Sequence, residues 1–150
     1  MAAPGTYKFT HFRSQLEIRF AKELDAREIR WFYEPERLGD SRYLLDFYLP
    51  QFKAWVEVKG QVSSRDHDSL LSLSVTLLKE RRQRVFMWMD KEAFAITEKG
   101  YATLTHEEFW KALTDTTSIP PAPSPSAEPN IPNLIVYPTE RPPRHRRRFR

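Results

Sequence analysis

Apolar positions along the chain change period several times, and each change marks an element. Leu16, Phe20 and Leu24 recur at helical spacing, which predicts a helix over residues 13–28. Ser14 followed by Glu17 is a capping box at its start, the serine accepting from the third helical amide and the glutamate reaching back. Residues 29–34, Ile-Arg-Trp-Phe-Tyr-Glu, read as a first strand that Pro35 ends, since proline has no ladder donor. A loop over 36–41 containing Gly39 leads into residues 43–60, two short aromatic and alternating strands joined at Pro50, Gln51 and Phe52. Residues 66–82 follow a Ser63-Ser64-Arg65-Asp66 helix start and carry leucines on a broad face, as on a helix packed against a sheet. Residues 84–89 form a buried strand, and Thr105 with Glu108 caps a last helix over 105–113. Residues 1–12 read as an irregular leader. Helix, three strands, helix, strand, helix predicts an α/β (α+β) domain, a mixed sheet covered on both faces.

The hairpin has chemical content. A turn centred between Gln51 and Phe52 pairs 49 with 54, 47 with 56, and 46 with 57, so Asp46 and Glu57 face each other. Opposed residues have Cβ atoms about 4.5–5.5 Å apart, close enough for two carboxylates to repel. Lys59 projects on the same side as Glu57, while Val56 and Val58 point the other way into apolar packing. Two carboxylates and an ammonium therefore converge, and Mg²⁺ is commonly held by one or two carboxylates plus substrate phosphates and water. Glu17 has two readings, the helix cap and an additional ligand beside the strand carboxylates; Glu34 is either solvated or close to the same site.

Charge divides the chain. Residues 1–115 hold 18 Lys+Arg and 18 Asp+Glu, whereas residues 116–150 hold six Arg, two Glu and nine of the twelve prolines. This places the domain at 13–115 and a Pro-rich, Arg-rich tail, expected to be disordered, at 116–150. Arg144, Arg146, Arg147, Arg148 and Arg150 then read as a DNA-phosphate arm or as a solvated terminus, and residues 134–137, Leu-Ile-Val-Tyr, as a segment that docks a protein partner. Lys79, Arg81, Arg82 and Arg84 read as the ordinary complement to a helix C-terminus. The absence of cysteine excludes disulfides and thiolate metal sites, and no apolar run reaches the roughly 20 residues that span a bilayer. A cytoplasmic protein without a membrane segment is expected.

Asp46, ten residues, then Glu57-Val58-Lys59 resembles the PD-(D/E)xK nuclease superfamily, with Leu45 where its proline usually stands. Taken with Arg13-Ser-Gln-Leu-Glu17, Tyr33-Glu34 and residues 43–47, residues 13–89 look like phage endonuclease I, a Holliday-junction resolvase family. The resemblance implies a restriction-endonuclease-like αβββαβ core and Mg²⁺-dependent DNA cleavage, with Mn²⁺ as substitute, leaving 5′-phosphate. It implies a homodimer in a bacterial or phage-infected host cytosol. It further implies Glu17, Asp46, Glu57 and Lys59 as catalytic residues, Asp46, Glu57 and the Val58 carbonyl as metal ligands, and Glu34 as a secondary position. Lys59 would stabilise charge or orient the attacking water, and would act as a base only with a lowered pKa. The family's bridge between first strand and aspartate is longer than the eleven residues between Glu34 and Asp46, which leaves domain exchange and junction selectivity open. Two further readings stand beside it: a nuclease subunit of a recombinase, transposase or restriction- or homing-type enzyme, and a non-catalytic nucleic-acid-binding or assembly module on a degenerate nuclease core.

Overall fold

The 3₁₀ turn Pro50–Phe52 sets the register of the centre of the molecule. Proline at its first position presets φ, and Lys53, at φ 49°, reverses the chain in the left-handed region. It joins β4 (Phe47–Leu49) to β5 (Ala54–Val58) with Phe47 opposite Val56, Tyr48 opposite Trp55 and Leu49 opposite Ala54. The expected pairs 49 with 54 and 47 with 56 are found, whereas the strand expected from residue 43 begins only at Phe47; beyond it the Asp46 amide donates to the Glu57 side chain. The computed structural model describes residues 3–119.

The other elements are β1 (Gly5–Tyr7), β2 (Thr10–Phe12), α1 (Gln15–Ala26), β3 (Phe32–Tyr33), α2 (Ser64–Arg81), β6 (Arg84–Trp88), β7 (Ala93–Thr97), β8 (Gly100–Leu104) and α3 (His106–Thr114). The order β3-β4-β5-β6-β7-β8 makes a six-stranded mixed sheet, antiparallel throughout except between β5 and β6, which α2 connects in parallel. Strand alternation divides the core in two. Phe47, Leu49, Val56, Phe86 and Trp88 meet Phe20 and Leu24 of α1 and Phe109 and Leu113 of α3. Tyr48, Trp55, Val85, Met87 and Ile96 meet Leu70, Leu73 and Leu77 of α2. An α+β architecture with helices on both faces is therefore present. Among the described residues no helix is long and apolar enough to cross a membrane.

Three expectations need correction. The leader is a β1–β2 hairpin packed on α1, with Phe12 fully buried. Its two-residue turn, Lys8-Phe9, has φ of 50° and 64°, a shape that Asn-Gly usually announces and that these side chains conceal. The first strand shrinks to Phe32–Tyr33, because the Ile29 amide bonds back to Leu24 O at the end of α1 and Glu34 turns away at φ 49°. The sheet also continues beyond the strand expected at 84–89. β7 and β8 form a hairpin in which Gly100 takes φ +116°, and its polar, partly exposed outer strand carries a weak apolar signal.

Gln83 sits inside a segment that reads as a run of surface cations, yet it is 2% exposed. Its amide oxygen accepts from Trp55 Nε1 at 2.7 Å, and its amide nitrogen donates to the Tyr48 hydroxyl at 3.3 Å. Gln83→Leu leaves the buried indole N–H without an acceptor, so a loss of about 1–3 kcal/mol is expected in urea unfolding.

Candidate functional site

The site forms where the N-terminus of α1 meets the ends of β4 and β5. Ser14 caps α1 by accepting from the Glu17 amide. Glu17 Oε1 completes the box by accepting from the Ser14 amide at 3.2 Å, and it also accepts from the Arg13 amide at 2.8 Å and the Tyr33 hydroxyl at 3.0 Å. The capping reading of Glu17 is the one the fold shows, and the capped side chain also lines the cleft.

Asp46 is 2% exposed. Its Oδ2 accepts from the Val58 amide at 2.7 Å and its Oδ1 from Arg13 Nη2 at 3.1 Å. Glu57, 4% exposed, accepts from the Asp46 amide at 3.3 Å through Oε1 and from the Tyr43 hydroxyl at 2.9 Å through Oε2. Lys59 Nζ lies 3.6 Å from Glu57 Oε2 and 3.2 Å from Asp66 Oδ2. Glu34 is fully buried, with Arg13 Nη2 2.6 Å from its Oε2. Asp46, Glu57, Val58, Lys59 and Glu17 line one open cleft of about 570 Å³, so the strand trio and the helix glutamate expected to meet do meet. Glu34 stands behind them, linked through Arg13. Arg144, Arg146, Arg147, Arg148, Arg150 and residues 134–137 lie outside the described residues.

Three members escaped sequence reading. Arg13 reads as the residue before a helix cap, and only the fold shows its guanidinium spanning Glu34 and Asp46. Tyr43 reads as a strand aromatic and Asp66 as a helix-start residue. The seven-residue step from Lys59 to the first turn of α2 was the available signal for Asp66.

Three of these carboxylates, Glu17, Asp46 and Glu57, are costly to ionise. Burial pushes Glu17 up to about 8, with the neighbouring Asp46 charge adding to it and Arg13 opposing. Burial likewise raises Asp46, where Glu57 adds further, and raises Glu57 against the opposing pull of Lys59. On Lys59 burial works against the charge, but Glu57 and Asp66 outweigh it and hold the amine above its ordinary value. This direction favours charge stabilisation by Lys59 over a general-base role.

These shifts link stability to pH. Carboxyl groups raised in the fold bind protons that the unfolded chain has already released, so stability is fully present near pH 4.5 and is lost as pH rises toward about 8. Urea unfolding in chelator should show a loss on the order of a few kcal/mol across that interval, and Glu17→Gln should flatten it.

Divalent-cation fit rests on the same donor set. Among the described residues no group of three or more His, Cys, Asp and Glu side chains is disposed to hold a metal ion. Asp46 and Glu57 are a two-carboxylate set with cleft access, the number that Mg²⁺ sites commonly use beside substrate phosphate and water. Fully ionised, Glu17, Glu34, Asp46, Glu57 and Asp66 exceed Arg13 and Lys59 by three negative charges, an excess that attracts a cation. Asp46 and Glu57 thus offer two carboxylates at the cleft, with Asp46 already accepting from Arg13 and from the Val58 amide. No protein-family model, curated protein or solved structure was found to match the chain.

Proposed function

We propose that the protein is a Mg²⁺-dependent endodeoxyribonuclease that hydrolyses phosphodiester bonds. One observation carries this reading: Asp46, Glu57 and Lys59, with Glu17 alongside, line a single open cleft although burial opposes the charge of every carboxylate among them. A core that needed only packing has cheaper solutions, because replacing buried ion pairs by apolar groups is often neutral or stabilising.

In this reading Asp46, Glu57 and the Val58 carbonyl hold the ion, which when bound polarises the phosphate, lowers the pKa of water and stabilises the departing oxygen. The Val58 amide and Arg13 fix the Asp46 carboxylate, and the Tyr43 hydroxyl fixes Glu57. Lys59 keeps its proton and neutralises charge developing on a non-bridging phosphate oxygen. Glu17, poised to ionise near pH 8, accepts a hydrogen bond from the attacking water. Water oxygen bonds to phosphorus as the bond to the 3′-oxygen breaks, one water proton passing to the ionised Glu17 carboxylate and the 3′-oxygen taking a proton from solvent, which leaves 5′-phosphate and 3′-hydroxyl ends.

The test is a panel of end-labelled single-stranded, duplex, flap and four-way DNA with Mg²⁺ or Mn²⁺. Cleavage of at least one member, abolished by chelator, is the expected outcome; intact DNA throughout overturns the proposal. A second reading, a DNA-binding or assembly module, is favoured by Arg13, which already spans Glu34 and Asp46 within the fold. It calls for DNA binding without cleavage. Light scattering on the same sample reads whether the active species is a homodimer.

A further inference from the structure

The loop between β3 and β4 carries cations to which the cleavage chemistry gives no task. Leu38 and Tyr43 form an isolated antiparallel bridge, each amide donating to the other's carbonyl at 2.8 Å, and so close the tip Gly39-Asp40-Ser41-Arg42. Gly39 at φ +68° and Arg42 at φ +56° turn the chain within it. The base of the loop is anchored on both sides. Leu38 is 1% exposed in the core facing α2, and the Tyr43 hydroxyl is bound to Glu57. Arg37 Nη1 donates to Arg42 O at 3.1 Å and lies alongside the tip.

Arg37, Ser41 and Arg42 line an open cleft of about 530 Å³ that shares Arg13, Glu57 and Lys59 with the carboxylate pocket, so the two are continuous. The cations of the inner part are engaged: Arg13 with Glu34 and Asp46, Lys59 with Glu57 and Asp66. A polyanion approaching four buried carboxylates needs further positive charge. Arg42 is exposed, and among the described residues no carboxylate lies within ion-pair distance of its guanidinium. Guanidinium forks match phosphate oxygens in pairs, and a serine hydroxyl adds a donor.

We propose that Arg37, Ser41 and Arg42 form a subsite for a backbone phosphate of the DNA strand, next to the phosphate held over Asp46 and Glu57. The proposal rests on the endonuclease reading for its substrate, and it deepens that reading by giving the strand a path from the carboxylates across the β3–β4 loop.

The experiment uses the full chain and a fluorescent duplex in chelator, where binding is read without cleavage, across a series of salt concentrations. Arg37→Ala with Arg42→Ala should lower affinity roughly tenfold at moderate salt and flatten the slope of log affinity on log salt by about 0.9, the loss of one phosphate contact. Arg37→Lys with Arg42→Lys should keep most of the slope. An unchanged slope in the alanine pair overturns the subsite, as does a wild-type chain that binds no DNA. A parallel cleavage assay separates the two readings. Wild-type cleavage with an unchanged alanine-pair slope overturns the subsite alone, and a flattened slope without wild-type cleavage supports the subsite while overturning catalysis.

Discussion

Replacing Glu57 by Gln is expected to lower metal-dependent DNA cleavage by roughly a thousandfold or more, because several kcal/mol of charge stabilisation vanish with the ligand and each tenfold in rate is about 1.4 kcal/mol. The same change should leave the fold at least as stable at pH 8. Glutamine keeps an oxygen for the Asp46 amide, and its NH₂ can donate to the Tyr43 hydroxyl, which rotates to accept. It also removes the charge that helps to hold Asp46 above its ordinary pKa. Loss of activity with gain of stability separates a strained functional site from a structural ion pair, whose disruption would lower both. Cleavage rates and urea midpoints measured on one preparation decide between them.

Arg13→Ala should do the opposite to stability. Arg13 Nη2 lies 2.6 Å from Glu34 Oε2 and 3.1 Å from Asp46 Oδ1, and both carboxylates are buried. Removing one partner from a buried ion pair costs about 3–5 kcal/mol, and the half-exposed guanidinium places this case toward the lower end. The loss should depend on pH. Without the cation the Asp46 carboxyl holds its proton more tightly in the fold, so the native state takes up more protons than the unfolded chain over a wider interval, and stability falls further as pH rises. Thermal melts of the variant should therefore approach wild type near pH 5 and fall well below it at pH 8. A deficit of equal size at both pH values would show that Arg13 acts by packing its stem and not by its charge.

How far the sequence revealed this arrangement follows from the range of each interaction. The hairpin register was readable because Pro50, Gln51 and Phe52 mark the turn, and a turn centred between Gln51 and Phe52 gives the pairing found between β4 and β5. The Ser14 and Thr105 caps were readable because a capping box is complete within four residues. Hidden features depend on long-range packing or on side chains that disguise their backbone. Arg13 reaches Asp46 across 33 residues, and Gln83 reaches Trp55 across 28, distances at which no spacing rule operates. Lys8-Phe9 makes a left-handed turn without glycine or asparagine, so the first hairpin has no local marker. The Glu17 cap is local and does not prevent the side chain from facing the cleft. One carboxylate oxygen accepts the helix amides while the side chain lines the cleft.

A calorimetric titration of Mg²⁺ and Mn²⁺ into the full chain at pH 8, repeated in buffers of different ionisation enthalpy and with Glu57→Gln, reads whether Asp46 and Glu57 hold an ion. Wild type should bind at one site per chain and release protons as the raised carboxyl groups ionise, and Glu57→Gln should lose that binding. Absence of binding in wild type, or equal binding in the variant, would contradict the assignment of these two carboxylates as metal ligands.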